Sequence, residues 1–288
     1  MRWTERRERF RALLEGKACI HPASVFDPVS TRIAEDLGFE LGMFAGSVAS
    51  LVVLGAPDLT LISLTEFAAQ AHRICRAGKL PLLVDADHGY GNALNVMRTV
   101  QELEHAGAAA VSIEDTLLPR AFGSTDAPQL VSIDEGAGKM KAAVAARGDS
   151  ELIILGRTSA ASISGVDDAI ARLNAYQEAG VDALMLPGLR TREELDRIAA
   201  ATRLPLVIGG IPESMCDSEY LASRRGRLWS GGHNTFNVAV KALYDAMKAV
   251  HEGLLAPKVA GAAGKDLLNA VTNAGSYAEW IQRFLGRS

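Results

Sequence analysis

Cysteine is scarce. Cys19, Cys75 and Cys216 are the only three in 288 residues, they lie far apart, and none sits at a metal-ligand spacing. This excludes a disulfide framework and a thiolate zinc site, and the odd count fits reduced thiols in a cytoplasmic setting. No block of basic residues exists, and a net charge of −4 gives no global attraction to nucleic acid. No apolar run approaches the roughly 18 residues of a membrane span. Residues 1–10 are charged rather than apolar, so neither a secretory leader nor a membrane partner is expected. No Gly-x-Gly-x-x-Gly follows the first strand candidate, which argues against a doubly wound dinucleotide-binding sheet. Hydrophobic residues make up 48% of the chain, ample for a large core, and work on a small molecule is the default expectation.

The most informative stretch is 82–91, Leu-Leu-Val-Asp-Ala-Asp-His-Gly-Tyr-Gly, where an apolar run stops at two carboxylates and turns on glycines. An apolar run between helical patterns suits a parallel strand covered on both faces. Asp85 and Asp87, two apart, would point the same way from a strand and converge on one hard cation, with Gly89 and Gly91 turning the backbone beside it. Alone, Asp87 could equally cap the helix that follows. Strand patterns occur at 23–26, 41–45, 82–85, 109–113, 152–155, 183–186, 205–208 and 227–229. Helical patterns occur at 4–15, 31–38, 64–77, 93–105, 133–146, 166–179, 192–200, near 217 and at 236–251. Three junctions repeat one phrase: Leu37-Gly38-Phe39-Glu40, Ala106-Gly107-Ala108-Ala109 and Ala179-Gly180-Val181-Asp182. Each reads as a helix closed by a left-handed glycine and returned to the sheet, and eight such units fit a (β/α)8 TIM-type barrel of about 250 residues. The expected barrel is 1–255, with 236–251 as its last helix, and 256–288 is a linker and an extra C-terminal helical segment.

In such a barrel chemistry sits at the C-terminal ends of the strands. Those ends supply Gly46, Ser47 and Val48 after strand two, Asp85 and Asp87 after strand three, Glu114 and Asp115 after strand four, Arg157 after strand five and His233 after strand eight. Asp85, Asp87 and Glu114, with Asp58 from the loop after strand two, form an all-oxygen set that favours Mg²⁺ or Mn²⁺ over Zn²⁺. Ser47 after Gly46 suggests a nest of backbone N–H groups able to hold a carboxylate. Plainer readings stay open: Glu114 could simply pair with Arg157, Asp58 could be a turn residue, and His233 could bond its own loop. His88 reads as a ligand or a supporting residue, while His72 and His105 fall on helices and are expected in solvent.

Asp-x-Asp-x-Gly-Tyr-Gly at 85–91 resembles the metal-binding signature of the phosphoenolpyruvate mutase and isocitrate lyase superfamily, and the spacing of Glu114 and Arg157 extends the resemblance over about 24–237. The resemblance implies Mg²⁺ held by Asp85, with Asp58, Asp87 and Glu114 contributing largely through water. It implies a 2-oxo acid whose carboxylate meets Gly46, Ser47 and Val48, and an Arg157 that reaches the oxygen destined to become an enolate. Members that cleave 2-hydroxy acids carry Lys-Arg-Cys-Gly-His in the loop after strand four. Here Phe122 falls at the cysteine and Ser124 at the histidine, so that proton donor is missing. Residues 117–130 supply neither the Asn nor the Lys of a phosphoryl-clasping loop. The segments 24–28, 46–50 and 232–233 look like the oxaloacetate decarboxylase branch, although 209–212 reads Gly-Gly-Ile-Pro where that branch has a tyrosine.

The resemblance therefore implies Mg-dependent decarboxylation of oxaloacetate, or a close 2-oxo dicarboxylate, to pyruvate and CO₂ through a metal-stabilised enolate. Arg157 and His233 would be the catalytic residues. The alternatives are a carbon–carbon lyase acting on a 2-hydroxy dicarboxylate such as a methylisocitrate, and a non-catalytic dicarboxylate-binding barrel. Leu267, Leu268, Val271, Tyr277, Trp280, Ile281, Phe284 and Leu285 make the tail too apolar for water. With the family's habit of exchanging a late helix, this leads to the expectation of a homotetramer built on swapped C-terminal helices.

Overall fold

The computed structural model describes residues 2–124 and 127–286. Eight parallel strands pair in chain order: β1 (Ala23–Ser24), β2 (Gly42–Ala45), β3 (Leu82–Asp85), β4 (Ala110–Glu114), β5 (Ile153–Arg157), β6 (Ala183–Pro187), β7 (Leu206–Gly209) and β8 (Gly226–Ser230). The ring closes through Ile20, whose N–H donates to the Arg227 carbonyl at 2.9 Å and whose carbonyl accepts from the Trp229 N–H at 3.0 Å. The result is the (β/α)8 barrel expected from the alternation. The junction glycines Gly38, Gly107 and Gly180 have φ of +82°, +100° and +93°, the left-handed conformation their positions required.

Strand alternation sorts side chains into two apolar cores. Met43, Leu83, Ala110, Ile153, Leu155, Ala183, Met185, Val207 and Leu228 fill the barrel interior, and Phe10 and Leu14 of the helix Arg2–Glu15 join them beside Leu41 and Ala109, which precede their strands. The N-terminal end of the barrel is thus plugged. Phe44, Val84, Val111, Ile154 and Leu184 belong to the outer layer against the helices. On β3, β4 and β5 the inward positions turn polar towards the C-terminal end: Asp85 follows Leu83, Ser112 and then Glu114 follow Ala110, and Arg157 follows Leu155. The same two-residue period that builds the plug therefore aims these groups into the open mouth. β4 and β5 run past their expected ends because Glu114 and Arg157 are themselves in register across the sheet.

Two expectations need correction. Residues 46–50 are not a turn but the helix Gly46–Ala49, continued by a wider π-helical turn, Ser50–Leu54. The helix Asn234–His251, expected to cover its own barrel, has no buried residue. The tail is also two helices rather than one, Lys265–Thr272 and Ala274–Leu285, broken at the left-handed Asn273. Val271 packs on the barrel and its carbonyl accepts from Arg32 Nη1 at 2.8 Å, while Ala274–Leu285 has no buried residue. An amphipathic face has the same pattern whichever barrel it covers, so sequence does not distinguish the two cases.

Phe10→Ala should destabilise the protein by about 3–5 kcal/mol, because it empties a closed apolar interior. Urea unfolding followed by circular dichroism measures this, and an unchanged midpoint would show that the plug is not part of the cooperative core.

Candidate active site

The mouth is built around one cation. Arg157 Nη1 donates to Asp85 Oδ2 at 2.5 Å, and Nη2 lies 3.1 Å from Glu114 Oε2 as an ion pair without a directed hydrogen bond. The other oxygen of Asp85 accepts from Ser112 Oγ at 2.6 Å. Both oxygens of Asp85 are thereby held, one by Ser112 of the adjacent β4 and one by Arg157 at the end of β5 beyond it. Arg157 Nε is buried and has no hydrogen-bond partner among the described residues. Burial opposes the charge on Arg157, but Asp85 and Glu114 more than offset it and hold the guanidinium protonated above its ordinary range.

Asp87 reaches this centre by a different route from the one expected. β3 ends at Asp85, and Asp87 sits at φ +47°, followed by Gly89, Tyr90 and Gly91 at +75°, +63° and +146°. A left-handed turn, not strand alternation, brings Asp87 back. It returns against Gly46, where a Cβ would stand 2.1 Å from Asp87 Oδ2, so a side chain there would displace the Asp87 carboxylate. Gly46, Ser47 and Val48 form the first turn of a four-residue helix, so their N–H groups have no helical partners and stand at a helix start rather than in a turn.

Four acids share this small volume. Burial, then Asp85, push the Asp87 carboxyl well above its ordinary range, against the pull of Arg157. Burial likewise raises Glu114, with Arg157 and the Thr116 hydroxyl opposing. Asp58 is exposed at the rim, yet partial desolvation raises it too, with Arg157 opposing and Asp85 adding. A single guanidinium does not neutralise this set, and all-carboxylate donors suit a hard divalent ion. Among the described residues no three histidine, cysteine, aspartate or glutamate side chains gather closely enough to hold a metal ion by themselves.

His233 follows β8 at the edge of the mouth, half-buried, and burial lowers its pKa so that it is neutral at pH 7. His88 is buried, its pKa is lowered by burial to about 4, and its Nδ1 has no partner. It faces the inside of the fold as a neutral ring, whereas His72 and His105 are exposed as expected.

Ser112, Thr158, Arg172 and Tyr176 were not singled out from sequence, and Asp115 was named there only as a strand-end acid. Ser112 had a visible signal, a hydroxyl two residues before Glu114 in an otherwise apolar strand. Asp115, fully buried behind Glu114, accepts from Thr158 Oγ1 at 2.9 Å, Arg172 Nη1 at 3.0 Å and Tyr176 Oη at 2.6 Å. Arg172 also donates to the Val131 carbonyl at 2.8 Å. This network ties the return of the loop after β4 to the strand carrying Arg157, and its members are scattered over 61 positions, which no local pattern reveals.

Fold and site together define a (β/α)8-barrel enzyme whose mouth presents an acidic centre and an arginine to a small anion. The chain belongs to the phosphoenolpyruvate phosphomutase family, whose profile matches residues 10–251. It is 54% identical over 282 residues to "Oxaloacetate decarboxylase" of Paraburkholderia xenovorans (strain LB400), covering 98% of this chain and 94% of that protein. It is 56% identical over 286 residues to "Oxaloacetate decarboxylase" of Rhodopseudomonas palustris (strain BisA53), covering 99% of each. Among solved structures it resembles oxaloacetate acetylhydrolase in complex with the inhibitor 3,3-difluorooxalacetate, with a TM-score of 0.87, 26% identity and coverage of 99% and 98%. It also resembles phosphonopyruvate hydrolase complexed with oxalate and Mg²⁺, with a TM-score of 0.84, 25% identity and coverage of 97% and 99%.

Because Asp87 and Glu114 are raised, the folded metal-free protein binds protons more readily than the unfolded chain. Their contribution to stability therefore improves as pH falls through the raised values and levels off in the ordinary carboxylate range. Asp87→Asn removes one of the repelling charges and should stabilise the metal-free protein at pH 7 by about 0.5–2 kcal/mol. The gap from the parent should shrink as the pH is lowered. Thermal unfolding between pH 5 and 8, roughly the usual stability optimum, measures it, and a pH-independent gap would contradict the crowding of charge.

Proposed function

We propose that the protein decarboxylates oxaloacetate, or a close 2-oxo dicarboxylate, to pyruvate and CO₂ with Mg²⁺ as cofactor; Mn²⁺ has the same donor preference. The observation that carries this reading is Arg157, a half-buried, permanently charged donor held by Asp85 and Glu114, with Nε left unpartnered among the described residues. The near full-length similarity to proteins named oxaloacetate decarboxylase supports the substrate.

Asp85 would hold the metal directly, with Asp87, Glu114 and Asp58 contributing through water, and the metal when bound supplies polarisation of the C2 carbonyl. The free N–H groups of Gly46, Ser47 and Val48 receive the C1 carboxylate. As the C3–C4 bond breaks, its electron pair becomes the C2–C3 double bond and charge collects on the C2 oxygen, where Arg157 donates. Such a donor acts most strongly on charge that exists only during reaction. Neutral His233 grips the C4 carboxylate without adding a charge that would retain it, and water returns a proton to C3. Phe122 in the loop after β4 is fully exposed and offers no acid, which weighs against cleavage of a 2-hydroxy acid.

Pyruvate release from oxaloacetate, followed with purified protein and Mg²⁺, tests the reaction; glyoxylate from isocitrate in its place would reverse the assignment. Arg157→Ala should lower kcat by about 10²- to 10³-fold, while His233→Ala should mainly raise KM. Parent-like kinetics for both would remove them from the site.

The working form in this reading is a homotetramer. The helix Asn234–His251 exposes Val238, Leu243, Tyr244 and Met247, while a groove of about 540 Å³ beside the helix Pro28–Asp36 is lined by Ile33, Ala34, Leu37 and Phe39. The same helix of a second copy fits the groove by apolar character and by its direct continuity with β8. Light scattering should give a tetramer, and truncation after Ser230 should give smaller, poorly soluble species. A monomeric mass for the intact chain would refute the exchange.

A further inference from the structure

Ser24 ends β1 on the inner face of the barrel and interrupts the apolar pair Ala23 and Val25 with a hydroxyl. Its Oγ lies 2.6 Å from His233 Nδ1, the one side-chain hydrogen bond of His233 among the described residues. His233 itself stands on a glycine pair, with Gly232 at φ +89°, and just before a helix that leaves the barrel. Its own loop therefore does nothing to fix the ring. An imidazole whose Nδ1 is occupied presents Nε2 alone to a ligand. If Nδ1 carried the proton, Nε2 would offer a lone pair to an anion and repel it; if Nδ1 instead accepts a hydrogen bond from the serine hydroxyl, the ring proton is on Nε2 and Nε2–H is a donor.

We propose that Ser24 is a positioning residue for His233: its hydroxyl donates to Nδ1, selects the Nε2–H tautomer and turns that proton toward the remote carboxylate of the substrate. The inference rests on the reading of His233 given above. A serine suits the task better than the carboxylate that often orients a catalytic histidine, because a neutral partner does not draw a second proton onto the ring. An imidazolium would hold the departing carboxylate back, and another acid would add to a mouth that already contains Asp58, Asp85, Asp87 and Glu114.

The test is a double-mutant cycle on the full-length, Mg²⁺-loaded enzyme, with oxaloacetate turnover and competitive inhibition by oxalate as readouts. Oxalate has the chelating pair of oxygens but no remote carboxylate, so it reports the rest of the site. Ser24→Ala should raise KM for oxaloacetate about 10-fold, the loss of one charge-assisted hydrogen bond, and leave oxalate inhibition unchanged. Ser24→Thr should restore KM, and Ser24→Ala should add nothing in the His233→Ala background. Equal weakening of oxalate and oxaloacetate, or additive effects of the two alanines, would make Ser24 only a tie between β1 and β8 and overturn the proposal. A silent His233→Ala would instead sink the reading of His233 itself, a distinguishable failure.

Discussion

The bridge from Arg157 to Asp85 and Glu114 is the interaction on which the rest of the mouth depends. Buried acids at the ends of neighbouring strands repel one another, and a cation between them is what lets β3, β4 and β5 end together. Removing one partner from such a buried pair typically costs about 3–5 kcal/mol because the remaining charge is left uncompensated. The same arrangement leaves the centre short of positive charge, a deficit that a divalent ion would relieve, and leaves Arg157 Nε buried without a partner among the described residues. In the proposed reaction, structural and catalytic demands would meet in this single side chain, and its surroundings are heavily reinforced.

That reinforcement comes from behind and below. Asp115, one residue past the bridge, is gripped by Thr158, Arg172 and Tyr176, so the strand ends carrying Glu114 and Arg157 are tied together on their outer side as well. Below, the apolar plug closed by Phe10 and Leu14 keeps water from approaching the mouth from the other end. Electrostatic donors are most effective when such a frame keeps them from reorganising as charge develops.

The barrel was legible because its signals are local: apolar runs two residues short of a polar group, and helix ends marked by glycine. The placement of Asp85, Glu114, Arg157 and His233 at the barrel mouth was legible for the same reason, since the first three end strands and His233 follows one. What escaped depends on contacts distant in the chain. Asp87 approaches through a left-handed turn that needs the bare Cα of Gly46, 41 positions away in the numbering from 46 to 87. Ser24 meets His233 only because Ile20 closes the ring between β1 and β8. The outward course of Asn234–His251 depends on what lies beside the chain, which its own amphipathic pattern does not encode.

The central claim is that the bridge stabilises an enolate of pyruvate. The most direct measurement is Mg²⁺-dependent exchange of the methyl protons of pyruvate with deuterium in D₂O, followed by proton NMR. This runs only the enolate-forming half of the chemistry, without the carboxylate loss. The account predicts exchange by the parent enzyme that is abolished by chelation and strongly slowed in Arg157→Ala. Exchange that proceeds equally well in Arg157→Ala would contradict it.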